Sequence, residues 1–418
     1  MAGTSGDPEN RPESPFGDVT SDAPLLRELQ RVLLSGSGPI NWELARQIGI
    51  AMASGGMDDP PPTATDSEML VQAVRIAELA VAEFTAMSPP SDLPSVEAVR
   101  RGQWIERNTR SLREFLDPVA AKLSSAMTDA QAERFGGLGL GGPVAGTPSE
   151  DLSPGATPHG AEGAQFLGAL VERMVPLMLG AQVGAVLGYL GQRVLGQFDL
   201  AVPRESGTLL FVVPNMAVFE RDWSLDPREF REWVALHEVT HRFEFARPWV
   251  REHFLALVKD LVEHAEIDFS VFERGMEDVD MSNPEALTQV FEGIASPFGH
   301  ASSDEQRLRI ARVQAFMAAA EGYGDHVMEA LGARMLASYA RIDEALRRHR
   351  EGRHTEQALE RLLGLEMKDE QYRLGERFCA RVVEQTDEAT LARMWDSAEN
   401  LPSLPELEEP RLWLARVA

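Results

Sequence analysis

The chain has 418 residues, of which 40 are Lys or Arg and 66 are Asp or Glu, so its formal net charge is −26. This acidic excess argues against nucleic acid as a partner, because phosphate binding requires a concentrated positive field. The single cysteine, Cys379, excludes an internal disulfide and a thiolate zinc cluster, and it fits a reducing compartment. Residues 1–20 have neither a basic start nor an apolar run, so we expect a cytoplasmic protein.

The first third of the chain is predicted to be a tail followed by helices. Residues 1–22 are acidic and rich in Pro, Gly and Ser, which predicts a disordered tail. Asn41 is a candidate N-cap for the first helix, and apolar residues recur at helical spacing over 66–84. A third helix is predicted from Ser95 to about Leu116. We therefore expect residues 23–135 to be a helical N-terminal region with a packing role.

A change of composition follows this region. Residues 136–163 are rich in Gly, Pro and Ser and are predicted to be a linker, so that residues 164–418 would form a second unit. The segment 174–192 contains no charged residue, and its length reaches the lower limit for a membrane span. We expect a buried central helix, because a proline and two glutamines dilute its hydrophobicity, and membrane contact is the alternative. Three glycines in it recur at every fourth position and predict close helix–helix packing: Gly180, Gly184 and Gly188.

The rest of the chain predicts one strand and many helices. Residues 208–213 form a short β-branched and aromatic run. As an exposed edge strand, this run would align an extended substrate by main-chain pairing. The predicted helices beyond it are 227–246, 248–268, 305–331 and 333–349, with an irregular connection at 275–304. The fold class is therefore expected to be mainly α with minimal β-strand content.

The most informative motif is His237-Glu238-Val239-Thr240-His241. Histidines at positions i and i+4 lie on one helix face, so both imidazoles can reach one ion. Glu238 can reach the same cleft and take a proton from a water that zinc has made more acidic. The alternative is a pair of solvated histidines on a helix. We predict that His237 and His241 bind zinc and that Glu238 is the general base.

A catalytic zinc needs a third protein ligand, and three later glutamates compete for this role: Glu263, Glu266 and Glu321. We favour Glu321, because it follows the small, apolar run 315–320 and a buried carboxylate is costly unless it is paired. Asp325 lies one turn further on the same face, where it could accept the free N–H of a zinc-bound histidine. An ordinary solvated acidic turn is the alternative for this pair.

Two residues beside Glu321 are weaker candidates. Tyr323 and His326 could each donate a hydrogen bond to a developing oxyanion. Such a residue is more often a packing residue or one that supports a ligand.

The segments HEVTHRFEF, EGYGDHVMEA and LERLLGLEMKDEQYRLGERF resemble a zincin-like metallopeptidase family. Its members carry the descriptions "putative hydrolase" or deazaflavin-coenzyme-biosynthesis associated, and the likeness runs from about Phe166 to the C-terminus. The resemblance implies a mostly helical zincin-like fold with a zinc site on the HExxH helix. In it, His237 and His241 correspond to the ligand histidines and Glu238 to the catalytic glutamate.

Three functions are compatible with these features. The first is a zinc-dependent metallopeptidase that acts on a peptide or protein substrate. The second is a catalytically silent binding or scaffolding protein with a zincin fold. The third is a membrane-associated interaction protein that uses residues 174–192. An intact Glu238 favours the first, since a purely structural zinc needs no base. Nothing in the sequence indicates an oligomeric state.

Overall fold

The computed structural model describes residues 38–55, 58–137, 159–198, 202–203, 207–265, 303–351 and 369–417. The described helices are α1 Trp42–Ser54, α2 Ala64–Thr85, α3 Arg101–Gly137, α4 His159–Gly191, α5 Val213–Asp222, α6 Pro227–Phe245, α7 Pro248–Glu263, α8 Asp304–Met335, α9 Tyr339–Glu351, α10 Asp369–Gln385, α11 Glu388–Ala392, α12 Leu404–Glu408 and α13 Pro410–Val417. The described strands are β1 Ser95–Val99 and β2 Thr208–Val212. The prediction of a mainly α fold with minimal strand content is confirmed.

Several predicted segments lie outside the described residues. These are the tail 1–22, most of the linker 136–163 and nearly all of the connection 275–304. The described ends of the linker, 136–137 and 159–163, belong to α3 and α4.

Side-chain caps begin helices α1 and α6. Asn41 Oδ1 accepts a hydrogen bond from the Leu44 amide at 2.9 Å, which confirms the predicted N-cap of α1. Asp226 Oδ1 accepts the amides of Arg228 and Glu229, with Pro227 in the first turn. Such caps satisfy amides that have no partner within the helix. The Asp226 cap therefore determines where α6, the HExxH helix, begins.

The prediction of a helix from Ser95 is wrong over its first five residues. Ser95–Val99 is strand β1, which pairs in parallel with β2 in the register Ser95↔Thr208 to Val99↔Val212, and α3 begins only at Arg101. A partner strand far along the chain overrides local helical preference here, because strand formation depends mainly on cross-strand packing.

Strand β2 is enclosed on both sides. Gly196 forms an antiparallel bridge with Phe211, and the amide of Val212 donates to the carbonyl of Leu195 at 2.8 Å. Residues 209–212 are buried. At Phe211 and Val212, β1 and the 195–196 backbone occupy both edges, so this half of the strand offers no open edge to an extended substrate.

The predicted break near residue 332 is also wrong, since α8 runs without interruption to Met335. Gly332 continues the helix, and a Cβ at this position would lie 2.4 Å from Cε2 of Tyr339. The glycine allows the start of α9 to pack closely against α8, and it does not end the helix.

The glycine-rich face of α4 packs against α1. A Cβ on Gly180, Gly184 or Gly188 would lie 2.5 Å from Asn41 O, 2.7 Å from Ala45 O or 2.5 Å from Met52 Cβ, respectively. The small residues thus serve a helix contact within this protein. In the described part of the chain, one segment, Met174–Gly191 of α4, is long and apolar enough to cross a membrane, and 39% of it is buried inside the protein.

Helix α6 lies in the middle of the hydrophobic core and packs against α2 and α8. On the other side of the core, α8 packs against α7 and α10. Gly322 of α8 and Gly375 of α10 meet so closely that neither position could carry a side chain without displacing backbone. These contacts fix α8 beside the HExxH helix.

Candidate metal centre

The structure brings three of the predicted site residues together. The ligand atoms of His237 and His241 on α6 and of Glu321 on α8 all lie within 4.8 Å of one another. The two imidazole centroids are 4.7 Å apart, as expected for residues one helical turn apart. Two imidazoles and one carboxylate form a ligand set that suits a metal ion.

His241 provides a test of whether a metal fits. Its side chain is fully buried, and its Nδ1 lies 2.9 Å from Oε2 of Glu244. Its other nitrogen, Nε2, is buried without a hydrogen-bond partner among the described residues. Buried polar atoms in proteins almost always have partners. A metal ion bound at Nε2 would supply the partner, so the residues fit the ion.

The site reaches solvent on the side of His237. The His237 side chain is 13% exposed, and its ring stacks on Trp233 at 5.8 Å between centroids. Glu321 is also partly exposed, whereas His241 closes the buried side. Partial exposure of two ligand side chains suits a catalytic metal, because water and substrate must reach the ion.

Glu238 is held by backbone from another part of the chain. Its Oε2 accepts hydrogen bonds from the amides of Gln197 and Phe198, both at 2.8 Å, and its side chain is fully buried. Its Oε1 lies 3.6 Å from Nδ1 of His237. The two amides thus fix the carboxylate through one oxygen, while the other oxygen faces the first histidine.

The electrostatics of the site favour a cation. Burial lowers the pKa of His241, but the carboxylate of Glu244, followed by those of Glu321 and Glu238, raises it to about 9. In the metal-free protein these carboxylates therefore favour the cationic, doubly protonated form of the imidazole. Carboxylates that stabilise positive charge on His241 would also stabilise a divalent metal ion bound beside it.

Of the two competing glutamates, Glu263 does not join the ligand set. Glu263 is 57% exposed and lies 3.7 Å from Lys259 at the end of α7. Glu266 lies outside the described residues.

The two weaker candidates, Tyr323 and His326, contact residues other than the proposed ligands. The Tyr323 hydroxyl donates to Sδ of Met87 inside the core, at 3.2 Å. Nε2 of His326 lies 3.0 Å from Oε1 of Glu388 on α11. Neither arrangement supports an oxyanion donor. The Nδ1 of His241 faces Glu244 instead of Asp325, so a role for Asp325 beside His237 stays a prediction.

Sequence reasoning missed two neighbours of His241. Glu244 follows it by three residues, and this i, i+3 spacing was the available signal. Gly324, in the EGYGDH segment, lies against the ring, since a Cβ there would be 3.1 Å from Cε1 of His241. A glycine three residues after Glu321 was the second signal, because it allows α8 to approach α6 closely.

A helix carrying HExxH, with an acid supplied by a later helix, is the arrangement of metal-dependent hydrolases. The family model of zincin-like metallopeptidases matches residues 40–414, and the chain belongs to this family. The predicted zincin-like fold is thereby confirmed, and the family implies the use of a metal. The match begins well before Phe166, so it includes most of the helical N-terminal region.

A solved structure supports the same assignment. It is described as "a putative hydrolase with a novel fold" from Chloroflexus aurantiacus and is similar to this chain at a TM-score of 0.61 and 29% sequence identity. The similarity covers 90% of this chain and 98% of that chain. No curated protein matches the chain significantly. The family and the solved structure together support a hydrolase.

Proposed function

We propose that this protein is a zinc-dependent metallopeptidase in which His237, His241 and Glu321 bind the zinc. The observation that carries the proposal is the convergence of these three ligand atoms within 4.8 Å around a buried imidazole nitrogen that has no hydrogen-bond partner in the described protein. Two nitrogen ligands and one carboxylate suit zinc, and three protein ligands leave one coordination position open. The substrate would be a peptide or a protein.

The chemistry divides between the metal and Glu238. A zinc ion bound here would polarise the scissile carbonyl and make a coordinated water more acidic. Glu238 would take a proton from this water and pass it to the leaving amine. The amides of Gln197 and Phe198 hold the carboxylate in place before the reaction, so little reorganisation is needed when the proton moves.

One observation favours the alternative of a catalytically silent zincin-fold binding protein. The Glu238 side chain is fully buried, and one of its oxygens accepts two backbone amides. A protein without peptidase activity would also keep this carboxylate, because those amides need an acceptor. An intact HExxH motif is therefore compatible with both functions, and an experiment must separate them.

The experiment compares Glu238→Gln with the wild type on a fluorogenic peptide library. Gln keeps the shape and an acceptor oxygen for both amides but is not a base. We expect hydrolysis to fall by about 10²–10⁴, the usual contribution of general-base catalysis, while zinc content stays near one ion per chain. Glu232→Gln is the matched control on α6, since Glu232 pairs only with the exposed Arg228 in the described structure, and it should behave as wild type.

The outcomes separate the two functions. If the zinc-loaded wild type cleaves no peptide, or if Glu238→Gln is as active as the wild type, the silent binding protein replaces the peptidase. The metal is tested separately with the double variant His237→Ala, His241→Ala, which should contain no zinc. Full zinc occupancy in that variant would show that zinc binds at another site.

A further inference from the structure

Glu244 contacts His241 from the side opposite the ligand cluster, and the mechanism above does not use it. It lies three residues after His241 on α6, and both side chains are fully buried. Its Oε2 is 2.9 Å from Nδ1 of His241. When the carboxylate is ionised it only accepts hydrogen bonds, and Nδ1 is then the atom that carries the hydrogen and donates it. This leaves Nε2 for a metal ion.

Apolar contacts hold the plane of the His241 ring but do not decide whether Nε2 or Cε1 faces the cluster. Phe245 stacks on the ring at 5.5 Å with an angle of 12° between the planes. Phe198 contacts the ring at 6.1 Å, and Gly324 lies close to it. A ring turned by 180° about its Cβ–Cγ bond would satisfy the same apolar contacts. The hydrogen bond to Glu244 distinguishes the two orientations.

The buried negative charge of Glu244 also supports a role for this residue beside the metal site. A buried carboxylate is costly unless a positive group compensates it. In the described part of the chain, its only partner within ion-pair distance is His241, and its Oε1 is buried without a hydrogen bond. A metal ion on Nε2 would make the Nδ1–H group a stronger donor and would bring positive charge to this side of the core.

We propose that Glu244 is a positioning residue of the metal site, which holds His241 with Nδ1–H toward itself and Nε2 toward the ion, and which makes the imidazole a stronger ligand. This inference rests on the metal site proposed above. It assigns to the motif a further position, HExxHxxE, in which the last glutamate binds the second histidine and not the metal.

The test measures zinc dissociation constants by competition with a chromogenic chelator. Glu244→Gln keeps the shape of the side chain and removes its charge, so we expect zinc binding about 10–100-fold weaker, as for other residues that support a metal ligand. Glu232→Gln on the same helix should bind zinc as the wild type does. The visible absorption spectrum of the Co²⁺-substituted protein should also change in Glu244→Gln, because the ligand field of His241 changes.

The unfolding temperature of each metal-free variant separates positioning from a purely structural role. Lower stability with unchanged zinc affinity and an unchanged Co²⁺ spectrum would overturn the proposal. If metal-free Glu244→Gln does not fold, Glu244→Asp serves instead. Its shorter side chain lengthens the contact with Nδ1, so an intermediate loss of affinity is expected and wild-type affinity would overturn the proposal. A wild type that binds no zinc through His237 refutes the metal site itself, and this result is distinguishable from failure at Glu244 alone.

Discussion

A methyl group on the Cα of Gly196 would lie only 2.1 Å from Oε1 of Glu238. The backbone at residues 196–198 therefore passes directly over the carboxylate of the HExxH motif. Two amides of this segment bind Oε2, and the carbonyl of Gly196 accepts the indole N–H of Trp104 at 3.0 Å. The position of the proposed base thus depends on a helix and a strand-like segment that are about 40 residues apart in sequence.

Gly196→Ala should displace either the segment or the carboxylate. Because the added Cβ has no room, we expect a loss of about 1–3 kcal/mol in the free energy of unfolding, as is typical of overpacked cores. We also expect peptide hydrolysis to fall while zinc content is retained, because the atoms nearest the added Cβ belong to Glu238 and not to a proposed ligand. Denaturant unfolding, metal analysis and the peptide assay measure these effects. If Gly196→Ala has wild-type stability and activity, the segment 196–198 can move without affecting Glu238, and the prediction is wrong.

Glu321→Ala should weaken zinc binding, since it removes one of three proposed ligands. Bound metal adds to the folding free energy, so the difference in melting temperature between zinc-loaded and metal-free protein should shrink. Glu263→Ala is the control, because Glu263 is exposed and pairs with Lys259. Chelator competition and thermal melts measure both. If Glu321→Ala binds zinc with wild-type affinity, Glu321 is not a ligand, and the assignment of the two histidines still stands.

Zinc affinity should rise with pH. In the metal-free protein the pKa of His241 is raised to about 9 by the neighbouring carboxylates, against the lowering effect of burial. Below that pH, zinc must displace the proton, so the apparent dissociation constant should increase about tenfold for each unit of pH decrease from this group alone. Chelator competition between pH 7 and 8.5 measures the slope. An affinity independent of pH over this range would contradict the prediction.

Gly184→Ala should destabilise the protein although alanine favours helices. Its Cβ would lie 2.7 Å from the carbonyl oxygen of Ala45 and 2.9 Å from Cβ of Ile48, so α4 would have to move away from α1. Gly102→Ala is the matched control in α3, where the nearest atom is 3.4 Å away. It should stabilise by up to about 1 kcal/mol through helix propensity. Denaturant midpoints that shift in the same direction for both variants would refute the packing argument.

The parts of the site that could be predicted from sequence are those with local geometry. His237 and His241 share a helix face because of their spacing, and Glu321 could be selected because an acid after a buried apolar run needs a positive partner. Glu244 was not found, since a glutamate three residues after a histidine resembles any solvated acid until its burial is known.

The missed parts of the fold are non-local. Nothing within Ser95–Val99 indicates that its partner is β2, and without the partner the segment resembles the start of α3. The amides of Gln197 and Phe198 bind Glu238 only because β2 brings their segment beside α6. Local patterns do not contain this information, because it depends on how distant elements pack.

The parallel pairing of β1 with β2 also constrains the order of folding. Thr208 follows its partner Ser95 by 113 positions (208 − 95), so β1 leaves the ribosome long before β2 has been synthesised. Until then Val99 has no strand to pair with and Trp104 has no Gly196 carbonyl to bind. Contacts between such distant residues form slowly and leave apolar surface exposed during synthesis. The interval before β2 is synthesised is therefore the one in which we expect the β1 segment to be most prone to aggregation.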